Sequence, residues 1–425
     1  MIVPKLRFKG FDQDWTGLKI KDLVKSLDAG VSVNSEDVEP KEDEYSVLKT
    51  SCISSGYFDE NERKRVLQDG EIQRLKEPVL DDSILMSRMN TPLLVGMNAY
   101  VFKAPKNTFL PDRLWQLKID DNKTVTRWLA FYLGSDQGLN QIRDLASGTS
   151  NSMKNITKPD VLNLDLFVPS KEEQTKIASF LSTVDEKISR LTQKHQLLNQ
   201  YKQGMMQKLF SQQIRFKADD GSEFGEWEEK TIQYFLDQNY IFDQMDGNHG
   251  ELYPKSEEFS DSGIPYIGAT DFSNGTVNFL SCKKIPLERA IKFKKGIAKN
   301  GDVLFAHNAT VGPVALLMTN LEFVILSTTA TYYRCNPKKL INTYLKSVLE
   351  SDYFKKQYVG IMSQSTRNQV PITTQRKLNL VVPCLEEQTK IANFLSAIDQ
   401  KIEVVAQQIE QAKTWKKGLL QQMFV

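Results

Sequence analysis

Two stretches of this chain carry apolar residues in alternating steps of four and three. The first runs Ile177, Leu181, Val184, Ile188, Leu191, Leu198, Met205 and Leu209, with His195 and Lys202 in the intervening seam places. The second runs Ile391, Leu395, Ile398, Ile402, Val405, Ile409, Ala412, Leu419 and Met423, with Lys416 in the seam. Apolar residues repeating every 3.5 positions mark a coiled-coil seam. No proline interrupts the first stretch from Ser170 to its end. Each helix would be about 58 Å long at 1.5 Å per residue. A helix of that length needs a partner along its seam, and the other copy in the same chain is the obvious one. An antiparallel pair predicts a pseudo-two-fold molecule built from one chain, imitating an isologous dimer.

The two stretches belong to an internal repeat. Glu172 to Ser182 and Glu386 to Ser396 agree at ten of eleven positions, at an offset of 214. The offset continues through Asp185 and Asp399, Lys202 and Lys416, Gly204 and Gly418, and Phe210 and Phe424. A fainter echo opens each half: Arg7-Phe8-Lys9 with Trp15, and Arg215-Phe216-Lys217 with Trp227. The chain therefore divides into residues 1–171, a domain; 172–210, a helix; 211–385, a second domain; and 386–425, a second helix. The predicted fold class is α+β, with two α/β domains separated by two long helices forming an antiparallel coiled coil. Nearly identical helices carrying dissimilar domains suggest one framework presenting two recognition surfaces.

Within the domains, Tyr45–Leu48 and Pro265–Gly268 read as strands. The stretch Asp82 to Arg88 corresponds to Gly301 to His307, an apolar strand ending in a side chain able to reach a base or phosphate. A polar loop follows each, containing Asn90 in one copy and Asn308 in the other. A second polar loop lies late in each domain: Thr149, Ser150 and Lys154 in the first, Thr366, Arg367 and Asn368 in the second. These residue types hydrogen-bond base edges and phosphates. The clusters Arg63-Lys64-Arg65 and Lys283-Lys284 could neutralise phosphates. Leu164 to Pro169 and Leu378 to Pro383 read as strands stopped by proline, just ahead of the helices. Glu172, Glu173, Glu386 and Glu387 then sit at helix starts, where the dipole favours negative charge. Gly204 and Gly418 cost helix stability and point to a close helix approach or a local break. With Lys202 and Lys416 they are candidates for partner contact.

Charge adds a constraint. The chain of 425 residues has net charge +2, and no segment departs far from neutrality. Any nucleic-acid role therefore needs local basic patches or a basic partner. Four well-separated cysteines, the lack of a secretory pattern and the lack of a long apolar run suggest a cytoplasmic protein without a membrane span. No nucleotide cradle, zinc signature or nucleophile elbow is evident. The histidines His195, His249 and His307 are scattered. The sequence reads as non-catalytic and metal-free.

The doubled stretches, Pro169 to Ile188 and Pro383 to Ile402, resemble the conserved regions of DNA specificity subunits of Type I restriction–modification enzymes. Ser87 to Pro92 and Gly148 to Ser150 resemble that family's target recognition domains. The resemblance covers essentially the whole chain. It implies that each domain reads one half of an asymmetric bipartite site in double-stranded DNA. It also implies that the helices space the readers and dock two methylation subunits, with two restriction–translocation subunits beyond. S-adenosylmethionine, ATP and magnesium would belong to those partners. Half-sites should lie about one helical turn, roughly 10 bp, apart. A protein-binding scaffold and an unrecognised nuclease remain open, and sequence-dependent DNA protection or metal-dependent turnover would distinguish them.

Overall fold

In the computed structural model, residues 3–147, 153–247, 253–363 and 368–424 are described. The chain forms two compact units: residues 1–192 with 407–425, and residues 193–406. The long helices span Lys171–Phe210 and Leu385–Met423. Each unit thus takes one domain, the first half of one helix and the last half of the other.

The first unit contains an antiparallel four-stranded sheet in the order Val24–Ala29, Leu114–Ile119, Ser83–Ser87 and Asn98–Val101. A three-stranded sheet of Arg63–Val66, Tyr45–Leu48 and Thr108–Phe109 lies apart from it in the hydrogen-bond order, with one parallel pair. The expected strand at Tyr45–Leu48 is present, and its central position explains its buried Ser46 and Val47. Thr16–Lys19 pairs with Asp165–Val168, the strand feeding the helix.

The second unit follows the same plan. Its main sheet runs Ile241–Asp246, Ala330–Cys335, Val303–Asn308 and Thr310–Leu316. A second four-stranded sheet includes Ile264–Ile267, close to the expected strand, with Val324–Leu326 parallel to it. Glu228–Thr231 pairs with Asn379–Val382 ahead of the second long helix.

The outer parts of the apolar seams are buried as their spacing predicts, whereas Leu191, Leu198, Met205 and Ile402 are half-buried. Ile177, Leu181, Val184 and Ile188 join Ala412, Leu419, Met423 and Phe424 in the first unit's core, together with Trp15, Trp128 and Leu129. In the second unit Met206, Leu209 and Phe210 join Ile391, Leu395 and Ile398. The seam residues pack against both the other helix and a domain. Asp185 meets Lys416 in the first unit, and Lys202 meets Asp399 in the second. In each unit the early part of one long helix thus meets the late part of the other.

The fainter sequence echo has a structural purpose. The Arg7 guanidinium grips Glu173 with two hydrogen bonds of 2.7 and 2.8 Å. Arg215 grips Glu387 at 3.1 and 2.7 Å, and the Trp227 indole donates to Glu387 at 3.0 Å. Both carboxylates are buried. Glu173 and Glu387 are therefore ion-pair anchors for the entry segments rather than dipole caps alone, whereas Glu172 and Glu386 remain exposed at the helix starts. Hydrogen bonding to the carboxylate raises the pKa of each arginine, against the opposing effect of burial. The adjoining glutamines are buried too: Gln174 accepts from Thr124 and the Val125 N–H, and Gln388 accepts from the Ile341 N–H.

Candidate nucleic-acid interface

Ser83–Ser87 is buried along its whole length, so its apolar residues fix where Arg88 emerges. The Arg88 N–H donates to the Arg113 carbonyl at 3.1 Å, and the Arg88 carbonyl accepts from Ile156 at 3.0 Å. Met89–Asn90 then pairs with Lys154–Asn155, with Asn90 opposite Lys154. The structure thereby joins the two polar loops singled out in the first domain. Asn90 is spent locally: its Oδ1 accepts from the Thr91 N–H at 2.8 Å, and its Nδ2 approaches Ser87 Oγ at 3.3 Å. Thr149 and Ser150 lie outside the described residues.

The turn after Asn90 is closed by Gly96 at φ +75°, where an added Cβ would lie 2.4 Å from Ile142. Only glycine accommodates both that backbone angle and that approach. Ile142 belongs to the helix Asp136–Asp144, whose Arg143 donates to the Leu93 carbonyl at 2.6 Å. Arg113 and Arg143 carry no local signal in the sequence, because one lies in a connecting loop and the other on a helix face that reads as solvated. Leu93, in the turn, is 78% exposed.

The second domain joins its corresponding loops in the same manner. Asn308 bridges to Gln369, and the Val370 N–H donates to the His307 carbonyl at 2.8 Å. Asn368 Nδ2 donates to the Ala309 carbonyl at 2.8 Å. Ala309 has φ 63°, a left-handed conformation uncommon for alanine. Thr366 and Arg367 lie outside the described residues.

His307 is not available as a surface reader. It is only 4% exposed, and its Nδ1 lies 2.9 Å from Thr331 Oγ1. Thr331 in turn accepts from Gln375, which also accepts from Tyr333. The strand continues through Asn308, so the histidine falls on its buried part rather than at its end.

The basic clusters stand elsewhere in their units. Arg63, Lys64 and Arg65 occupy a strand of the three-stranded sheet. Arg65 is paired with Glu36 at 2.7 Å and Glu44 at 3.6 Å, which offsets much of its charge. Arg63 reaches Thr108 Oγ1 at 3.4 Å. Lys283 lies over the Phe259 ring at 4.8 Å, while Lys284 donates to the Asp261 carbonyl at 3.2 Å.

The paired lysines and glycines of the helices behave differently from one another. Lys202 contacts Asp399 at 2.7 Å and Glu350 at 3.4 Å. Burial lowers its pKa, but the two carboxylates outweigh burial and the net shift is upward. Lys416 contacts Asp185 at 2.5 Å and lies over the Tyr57 and Phe131 rings. Both cations are thus engaged inside their own units. Gly204 and Gly418 have no atom within 4 Å of an added Cβ, and both helices run through them unbroken. Close helix approach and a local break are therefore both ruled out as their explanation.

Among the described residues, no group of acidic, histidine or cysteine side chains is arranged to hold a metal ion. No helix among them is long and apolar enough to cross a membrane.

Comparison with known proteins places this arrangement. The family model for the Type I restriction modification DNA specificity domain matches residues 12–200 and 241–414. The Type I restriction enzyme MjaVIII specificity subunit of Methanocaldococcus jannaschii is 24% identical over 415 residues, covering 96% of this chain and 91% of that protein. The Type I restriction enzyme EcoEI specificity subunit of Escherichia coli is 25% identical over 182 residues, covering 42% of this chain and 30% of that protein. The crystal structure of the Type I restriction–modification S subunit from M. genitalium shares the fold, with TM-score 0.59, 19% identity, and coverage of 100% and 99%. A chain in a solved type I R-M system gives TM-score 0.53 and 16% identity, with coverage of 96% and 97%.

Proposed function

This chain belongs to the Type I restriction–modification DNA specificity family, and from that membership we propose that it reads an asymmetric bipartite site, one half per domain. One observation carries the reading. The two units join equivalent loops in equivalent ways, yet fill the junctions with different side chains: Arg88, Asn90 and Lys154 in one, Asn308 and Asn368 in the other. Equivalent placement gives equivalent access to a duplex, and different chemistry gives different preferred bases.

In this reading the chain performs no reaction. It directs two methylation subunits, and two restriction–translocation subunits where these are present, to the site. S-adenosylmethionine, ATP and magnesium would be held by those partners. The nearly neutral chain needs them for a second purpose, because its own net charge of +2 offers little general attraction for a polyanion. The isolated chain should bind DNA weakly and with marked salt sensitivity.

The test is to co-express the chain with its genomically adjacent methylation subunit in a host lacking adenine methylation, and to map modified adenines across the genome. One motif of two unrelated halves separated by a fixed gap supports the proposal. A well-formed complex that leaves no new methylation overturns it in favour of a scaffold.

A further inference from the structure

Arg88 is half-buried at the end of a fully buried strand, yet its guanidinium has no hydrogen bond or ion pair among the described residues, and its Nε is enclosed without a partner. Enclosing a polar group unmet is destabilising, and such groups are uncommon in folded proteins. Here it does not stand alone. Arg143 Nε and Asn155 Oδ1 are also enclosed and unmet. The three side chains come from different elements: a strand end, the helix Asp136–Asp144 and the strand Lys154–Asn155.

These elements meet at the loop junction. Arg88 is fixed on both sides of its peptide by Arg113 and Ile156. Arg143 ties the turn by its bond to the Leu93 carbonyl, while its neighbour Ile142 fills the space beside Gly96. An arginine mounted on such a frame loses little freedom when it binds, which suits exact placement better than general charge attraction. Nε is the inner nitrogen of an arginine head, so its enclosure leaves the outer nitrogens as the groups a ligand would meet.

We infer that Arg88 and Arg143 act together as a guanine reader, and that the half-site of the first domain contains a guanine contacted by this pair. The inference rests on the proposed DNA-reading role. The planar fork of an arginine matches the O6 and N7 acceptors of guanine in the major groove, the commonest specific contact between protein and base. Arg143 holds the turn through its bond to the Leu93 carbonyl and offers its remaining donors to the same ligand. Among the described residues the second domain presents Asn308 and Asn368 at its junction, and the guanine contact is inferred for the first half-site.

The experiment compares methylation motifs of the wild-type complex with those of Arg88→Gln, Arg143→Gln and Arg143→Lys. The expected wild-type half-site has an invariant guanine. Both glutamine variants relax that position, with discrimination falling by about tenfold or more. Arg143→Lys keeps a donor for the Leu93 carbonyl but not the remaining guanidinium donors, and relaxes the same position. The half-site of the second domain stays unchanged in all three, which serves as the control for folding. A half-site without guanine overturns the inference. So does a uniform loss of methylation across sequences, the signature of a phosphate contact, or a motif that the variants leave intact. If the wild-type complex yields no bipartite motif at all, the underlying DNA-reading role fails instead.

Discussion

Lys416 donates to Asp185 at 2.5 Å, and the same contact recurs with the roles of the helices exchanged, as Lys202 with Asp399 at 2.7 Å. Each aspartate also ties a domain to its helix. Arg127 reaches Asp185 at 3.1 Å, and Lys346 reaches Asp399 at 3.7 Å. The duplicated lysine and aspartate are therefore one device used twice, joining helix to helix and helix to domain. Asp185→Ala would leave Lys416 and Arg127 without their shared acceptor in a largely buried place. Its expected cost is about 3 kcal/mol, read as a shift in the urea unfolding midpoint, and an unchanged midpoint would contradict the account.

The Lys202 cluster predicts an alkaline limit to that stability. Burial alone would lower the lysine pKa, but Glu350 and Asp399 raise it above its ordinary value near 10.5. A group whose pKa rises on folding contributes fully below its unfolded pKa, and the contribution disappears as pH passes the folded value. The stability gap between wild type and Lys202→Met should be constant from pH 7 to about pH 10 and should close above it. A gap that widens with alkalinity would exclude the ion pairs as its source.

The two helix glycines predict stabilising substitutions. With open space around each added Cβ, Gly204→Ala and Gly418→Ala should each raise stability by up to ~1 kcal/mol, the difference in helix propensity. Gly96→Ala should do the reverse, because its φ of +75° and its closeness to Ile142 leave no room for a methyl group. Thermal melts of the three variants should move in opposite directions. If the alanine variants also weaken assembly with the methylation subunit, the smooth helix surface is retained for docking.

Period and repetition made much of this legible in advance. The seam from Ile177 to Leu209 and the strand before each helix follow from local pattern, which needs no knowledge of distant contacts. The junction of Asn90 with Lys154 is half-visible, since both loops are polar in sequence but nothing local says that they pair. Arg7 with Glu173 was not visible, although both belonged to recognised repeats, because their contact spans 166 residues. His307 shows the converse error. Its place at the end of an apolar run suggested exposure, and Thr331 on a neighbouring strand explains why it is buried. Chain position alone cannot report what the next strand in a sheet supplies.

The repeated anchors predict unequal consequences for the two halves. Glu173 holds Arg7 alone, whereas Glu387 holds Arg215 and also accepts from the Trp227 indole at 3.0 Å. The equivalent indole of Trp15 is buried without a partner. Removing Glu387 therefore abandons two donors and removing Glu173 abandons one. Glu387→Ala should cost about 4 kcal/mol and Glu173→Ala about 3 kcal/mol, as expected for breaking a buried pair. Urea titrations should show the larger midpoint shift for Glu387→Ala. Glu387→Gln should recover part of the loss, because a glutamine oxygen still accepts a hydrogen bond from either donor. Equal losses in the two halves would mean that the indole bond contributes nothing and that the arginine alone anchors each entry segment.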